Sequence, residues 1–334
     1  MRYWTQLACE QFPPSDLMRQ AVEAERAGFD ALCVSDHFQP WWEPGESAQA
    51  WVLLGGIGCA TERIALGTGV TAPVHRYHPA VVAQAFATLE EMYPDRAFVG
   101  IGSGESLNES PAGMDWPQVA EQVERMDEAL EIIDRLFAGE RLDHGGRFYK
   151  TKRAFLHTRG ARRPPVYVSA FGPRAAGVAA RRGDGVWTLA DPQTAPAVVE
   201  AYRAACEGAG RAPGEIILQV GASWAASDEA ALDGARVWKG AQPDEYYTDD
   251  WSEPQAMARH AEQTISDAAL RAAYIVSSDP DEHADRIREV ERMGATVVCI
   301  QNASGADPHA ALEVYGERVL PALRGRRTAA VDGG

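Results

Sequence analysis

The run Ala31-Leu32-Cys33-Val34-Ser35-Asp36-His37-Phe38-Gln39-Pro40-Trp41 changes character halfway along. Ala31 to Val34 is short, apolar and uncharged, as in a parallel strand buried on both faces. It breaks off into an acid, a histidine and a tryptophan. A barrel strand reads this way where its C-terminal tip opens into a site. Two other apolar runs end alike. Tyr3–Ala8 leads into Glu10-Gln11-Phe12, and Ala97–Ile101 leads into Gly102-Ser103-Gly104-Glu105. Three strands are therefore expected to bring two carboxylates and a histidine to one rim.

Five further strand-like runs are Ile64–Val70, Val166–Ala170, Gly185–Leu189, Ile216–Ser223 and Thr296–Gln301. Helical segments lie between them. Ser15 to Ala27 starts at a capping serine and stops at Gly28. Gln118–Phe137 carries Val119, Val123, Met126, Leu130, Ile133 and Leu136 at helical spacing. Eight strands alternating with helices predict an α/β fold, a (β/α)8 TIM barrel. An open doubly wound sheet is the structural alternative. The gaps from Glu105 to Val166 and from Ser223 to Thr296 are long, and predict insertions at the C-terminal rim, where pockets are built. The second holds an aromatic loop, Lys239–Tyr247. Residues 1–324 read as one domain, and 325–334 as a small, polar, disordered tail.

The 334 residues exceed the ~250 of a plain barrel but suit one with insertions. A formal charge of -16 argues against nucleic acid and anionic membrane as partners. No apolar run approaches the ~18 residues of a membrane span. The start, Met1-Arg2-Tyr3-Trp4, reads as a strand and not a signal peptide. A cytoplasmic protein is expected. The cysteines, five in number and scattered, include no CxxC pair, so no metal site is expected.

His37 is the first candidate for acid/base work, since imidazole exchanges protons near neutral pH. The same histidine could instead merely cap its loop. Asp36 can orient it, and Trp41 can wall the pocket against water. Glu105 follows a glycine pair that lets a ligand approach the backbone. Glu10 is the third member of an acid/base group. Asp95-Arg96 and Arg76-Tyr77-His78-Pro79 read as loop-holding ion pairs. The segment Arg141 to Arg163 has eight basic residues against one acid, Asp143, and suggests attraction of an anion. Gly172-Pro173 and the helix beginning at Arg174 could cradle a phosphate on backbone N–H groups. Glu10 and Glu105 also admit a distant alternative, the carboxylate pair of a barrel glycosidase.

Several motifs together resemble one family. These are VSDHFQPW (Val34–Trp41), ACEQF (with Cys9–Phe12), YHPAVVAQAFA (Tyr77–Ala87), GSGESLN (Gly102–Asn108) and SDPDE (Ser278–Glu282). They are similar to the glucose-6-phosphate dehydrogenases that use coenzyme F420, within the luciferase-like superfamily. The resemblance runs from Glu10 to about Leu323. It implies an F420-dependent oxidoreductase that passes hydride between an alcohol carbon and C5 of the 8-hydroxy-5-deazaflavin. An FMN-dependent monooxygenase of the same superfamily is the nearest alternative.

By the same resemblance, His37 takes the hydroxyl proton, Trp41 positions the reacting groups, Glu105 serves the ring's N1 and Glu10 shares the acid role. Asp36, Gly69, Val70, Ala72, Ser103, Gly104 and Asn108 hold the ring and ribityl chain. Phe171, Gly172, Arg174 and Ala175 hold the phosphate. A non-proline cis bond falls at Gly69-Val70, and the protein is a homodimer. The family's residues for the sugar phosphate, a threonine and three cations, are not matched. Leu189, Pro192 and Ala273 stand at three of those positions, and Arg259-His260 near the fourth. A phosphate would lose charge-assisted hydrogen bonds worth ~1.5–3 kcal/mol each. A non-phosphorylated sugar, a secondary alcohol or a hydroxylated metabolite is the expected substrate.

Overall fold

Every apolar run singled out above forms a strand in the computed structural model, which describes residues 1–305 and 307–325. In chain order the strands are β1 (Arg2–Leu7), β2 (Ala31–Val34), β3 (Ala65–Thr71), β4 (Ala97–Ile101), β5 (Leu142–Gly145), β6 (Lys150–Ala154), β7 (Val166–Ser169), β8 (Gly185–Leu189), β9 (Glu215–Trp224), β10 (Tyr274–Ser277) and β11 (Val297–Asn302). The parallel order β1-β2-β3-β4-β7-β8-β9-β11 returns to β1. The β8–β9 pairing closes the ring, so the fold is a (β/α)8 barrel and not an open sheet. Among the described residues no helix is long and apolar enough to cross a membrane.

Apolar strands suit this closure because both their faces are covered. Helices pack outside, and side chains fill the interior. An aromatic layer of Trp4, Phe98, Tyr167 and Trp187, with Cys33 and Cys299, plugs the lower barrel. Trp4 lies 4.8 Å from Phe98 and 5.8 Å from Trp187, ring centre to ring centre. Rings of this size bury ~150–250 Å² each, and their tilted contacts suit the aromatic quadrupole. The plug leaves only the C-terminal half of the barrel open.

Three local features differ from the expectation. The first helix runs Pro14–Ala27, with Pro13 at its cap and no capping side chain, so Ser15 lies inside it. Pro14, already fixed near helical φ, starts the helix instead. The first long gap holds an antiparallel hairpin, β5–β6. Its charged sequence, LDHG and KTKRA, conceals the strand pattern. The second gap holds β10, which pairs with β9, Tyr274 opposite Gly221.

The basic segment is not one patch. Arg162 bonds Asp95 at 2.9 Å and Arg163 bonds Asp184 at 2.7 Å. Those acids precede β4 and β8, at the barrel's N-terminal face, away from the rim. Arg147, on the hairpin tip, reaches the rim side and pairs with Glu124. Arg96 is structural, but through carbonyls and not the expected ion pair: it donates to Ile64 O, Gly58 O and Thr61 O, while Asp95 pairs with Arg162. Gly325 closes the last turn, and the rest of the expected tail, 326–334, lies outside the described residues.

Candidate active site

The C-terminal strand ends enclose a cleft of about 1020 Å³, counting its open mouth. His37 stands inside it, with its Nε2 3.6 Å from Glu10 Oε1 and 3.5 Å from Glu105 Oε2. Three strands, β1, β2 and β4, thus deliver one imidazole and two carboxylates to one point. Both separations exceed a formed hydrogen bond, as is common before a substrate arrives. His37 Nδ1 faces Gln39 O at 3.3 Å. A proton on Nδ1 can be donated there, which leaves the Nε2 lone pair toward the cleft. Trp41 is buried, 5.3 Å from the imidazole between ring centres.

Each carboxylate is held from behind. Ser35 Oγ donates to Glu10 Oε2 at 2.9 Å. Asn108 Nδ2 donates to Glu105 Oε2 at 3.1 Å, and Asn108 Oδ1 accepts from the Phe38 N–H at 2.8 Å. Asn108 therefore ties the loop after β2 to the loop after β4. Burial pushes the Glu105 carboxyl above its ordinary range, opposed by His37 and reinforced by Glu10. A raised carboxyl keeps its proton longer as pH rises and can donate it.

Beneath lies a second charged group. Asp36 is buried and accepts from Thr71 Oγ1 at 2.6 Å, Tyr77 Oη at 3.2 Å and Arg76 Nη2 at 3.3 Å. The same guanidinium lies 3.7 Å from Glu109, whose Oε2 accepts the Arg76 N–H at 2.7 Å. Two buried carboxyls thus share one cation. Burial pushes both up, Glu109 to about 7, with Arg76 pulling the other way. The ion-pair reading of Arg76 holds, but the side chain also lines the cleft.

One wall is the end of β3. The register against β4 slips between Thr68 and Thr71, and Gly69-Val70 within that bulge is cis, as the resemblance implied. A Cβ on Gly69 would lie 2.9 Å from Cys33 Sγ and 3.0 Å from Trp187, so only glycine fits. Ala72, Ser103 and Gly104 continue the wall. Gly104 has φ 85°, a left-handed conformation that favours glycine. Phe171 lines the mouth, 5.6 Å from Tyr247 between ring centres. Gly172, Arg174 and Ala175 stand beyond the deep cleft, at the start of the helix Pro173–Arg182. Arg174 bonds Glu124 at 2.9 Å, the carboxylate that also holds Arg147.

The lining includes residues the sequence reading passed over. Gln6, Gln219 and Gln301 come from β1, β9 and β11. An uncharged polar residue inside a buried apolar strand was the available signal. Glu109 is one helical turn beyond Glu105. Trp238 immediately precedes the aromatic loop and Tyr247 ends it, its ring tilted against Trp41 at 5.5 Å between centres. Of the four positions that the resemblance assigns to a sugar phosphate, only Leu189 lines the cleft. Pro192 and Ala273 are exposed. Arg259 faces Glu253 at 3.8 Å, and His260 bonds Glu245 at 2.7 Å. Lys239 is occupied by Asp267 at 3.0 Å and Glu262 at 3.4 Å.

A sequence profile described as luciferase-like monooxygenase matches residues 2–297. The chain is 39% identical to an F420-dependent glucose-6-phosphate dehydrogenase of Nakamurella multipartita, over 97% of both chains. It is 36% identical to an F420-dependent hydroxymycolic acid dehydrogenase of Mycobacterium tuberculosis, over 95% of this chain and 87% of that one. A solved F420-dependent secondary alcohol dehydrogenase, in complex with an F420-acetone adduct, superposes with a TM-score of 0.93 at 30% identity, over 97% of this chain and 99% of the other.

Proposed function

The chain belongs to the luciferase-like monooxygenase family, and from that premise we propose that it is a coenzyme F420-dependent oxidoreductase acting on an alcohol carbon. The observation that carries the reading is His37, its Nε2 between the buried Glu10 and the half-buried Glu105 inside the cleft. An imidazole standing between Glu10 and Glu105 occupies the space a glycosidase needs for its glycosidic bond.

The residues present fit the cofactor. Its flat ring needs a slot with close backbone, which the Gly69-Val70 bulge and the Gly104 backbone supply. Its phosphate needs open N–H groups. The first helical bond of Pro173–Arg182 is Ala176 N–H to Gly172 O at 3.0 Å, which leaves the Arg174 and Ala175 N–H groups to a ligand. A Cβ on Gly172 would meet nothing within 4 Å, so open space adjoins them.

When bound, coenzyme F420 exchanges a hydride at C5 of its ring. His37 Nε2 takes the proton of the substrate hydroxyl as the carbon loses hydride. The imidazolium so formed is stabilised by Glu10 and Glu105. Glu105, whose carboxyl burial pushes above its ordinary range, would exchange a proton with the ring once the cofactor is bound. Trp41 and Tyr247 exclude water around these transfers. Run in reverse, the same groups reduce a ketone.

Arg76 is the one cation among the described lining residues, and two carboxyls already engage it. A phosphate dianion would meet Glu10 and Glu105 without a counter-charge. The substrate is therefore an uncharged alcohol, sugar or hydroxylated metabolite. A cytoplasmic homodimer completes the proposal. The helix Ala50–Ala60 has no charged residue, and its Val52 is 78% exposed; Val81 of the helix Pro79–Met92 is exposed as well. An apolar face of this kind suits burial against a second copy. Sedimentation would show a concentration-stable dimer, which Val52→Glu should dissociate. The function is tested by scoring alcohols and sugars, phosphorylated and not, for bleaching of the deazaflavin visible band. Bleaching by an uncharged alcohol is expected. Bound cofactor with no bleaching by any alcohol would overturn the reading.

A further inference from the structure

The floor of the cleft is built from amides. Gln6 of β1 and Gln301 of β11 are register partners on neighbouring strands. Gln219 of β9 lies on the next strand, opposite Cys299. All three side chains line the cleft. Register partners on paired strands sit ~5 Å apart, close enough for one small group to touch both.

Their protein contacts use only half of each amide. Gln6 Nε2 donates to Gly69 O at 3.3 Å, while Gln6 Oε1 is buried with no partner among the described residues. Gln219 Oε1 accepts from Trp187 Nε1 at 2.9 Å. Gln301 Oε1 accepts from Tyr274 Oη at 3.4 Å. What remains unpaired on these three lining side chains is one buried acceptor, Gln6 Oε1, and two donors, the Nε2 groups of Gln219 and Gln301. Gln6 is 4% exposed, and a buried acceptor left unpaired costs ~1–3 kcal/mol. Native proteins rarely carry that cost without a use.

The pairing chemistry selects the guest. A hydroxyl can donate to Gln6 Oε1 and accept from an amide N–H together. A phosphate dianion is acceptor-only, and a methyl or methylene satisfies neither. We propose that the amides of Gln6, Gln219 and Gln301 bind a second hydroxyl of the substrate, so that the substrate is an uncharged diol or polyol. The first hydroxyl goes to His37, and the second goes to the floor. This deepens the alcohol-oxidation reading and rests on it. A site built to hydrogen-bond a hydroxyl discriminates strongly against the analogue that lacks it.

The test is binding, with no turnover needed. With the F420-loaded protein, trans-1,2-cyclohexanediol and cyclohexanol are titrated while tryptophan fluorescence is followed, since Trp187 and Trp41 face the cleft. The native protein should bind the diol about ten-fold or more tightly than the alcohol. Gln6→Met, close in volume but without the acceptor, should abolish that preference. Gln301→Met should reduce it independently, which keeps the test alive if one variant fails to fold. Equal affinities in the native protein, affinity for neither, or a preference that survives both substitutions would overturn the proposal. So would loss of F420 affinity in Gln6→Met, which would assign the amide to the cofactor. Failure of the native protein to bind F420 at all would instead contradict the proposed function.

Discussion

His37 has two carboxylates within 3.6 Å of one nitrogen, and its other nitrogen faces a backbone carbonyl. That arrangement makes it a proton acceptor whose product is stabilised in place. His37→Ala should lower turnover by ~10²–10⁴ with F420 affinity nearly unchanged. Glu105→Gln should lower turnover as well, because an amide has no acidic proton to give. Stopped-flow turnover at saturating substrate, with a separate F420 titration, checks both. Native turnover in His37→Ala would remove it from the mechanism. Glu109 carries a different prediction. Its carboxyl titrates near 4.5 when unfolded and at about 7 when folded. The folded state therefore holds more protons between those pH values, and stability falls as pH rises through that window. The gap is worth on the order of 3 kcal/mol. Glu109→Gln should gain stability relative to the native protein between pH 4.5 and pH 8, by several degrees in Tm. A difference in Tm that is the same at both pH values would contradict it. Glu10, His37 and Glu105 were legible in the sequence because each lies within four residues of the end of an apolar run. Gln6, Gln219 and Gln301 were not, because a single polar residue inside a strand looks like noise until closure turns its side chain inward.

The rim is shaped by elements that brace one another. The hairpin β5–β6 leans over the loop after β3, where the single Tyr149 O–H is shared between Pro73 O at 2.9 Å and Val74 O at 2.8 Å. That loop carries Ala72 into the cleft and sets Val74 against Gly104. Tyr149→Phe would remove the one donor that these buried carbonyls share, at about 1–3 kcal/mol. It should lower the urea midpoint and also weaken F420 binding. A lowered midpoint with unchanged F420 affinity would show that the hairpin holds the fold without shaping the site. The hairpin escaped the sequence reading because LDHG and KTKRA alternate charge, not apolarity. β10 escaped because four residues without a bracketing glycine or proline carry little pattern. The barrel strands were readable because burial on both faces makes them plainly apolar.

At the scale of the whole molecule, closure of eight parallel strands turns scattered loops into one cleft, and the aromatic plug restricts it to one end. Net charge adds a constraint. A chain of charge -16, with Glu10, Asp36, Glu105 and Glu109 lining its cleft, is poorly suited to a dianionic substrate. Glucose 6-phosphate should show no advantage in kcat/KM over glucose. Efficient turnover that depends on the phosphate would mean an anion site outside the cleft described here. The acidic surface was legible from composition alone, but the pairing of Arg162 and Arg163 with Asp95 and Asp184 was not, since those partners are remote in sequence. The central claim is the cofactor, and calorimetric titration of the purified protein with coenzyme F420 and with FMN tests it most directly. F420 should bind more tightly, with an affinity that falls as salt rises because its phosphate and tail are anionic. Tighter binding of FMN, or none of F420, would contradict the account.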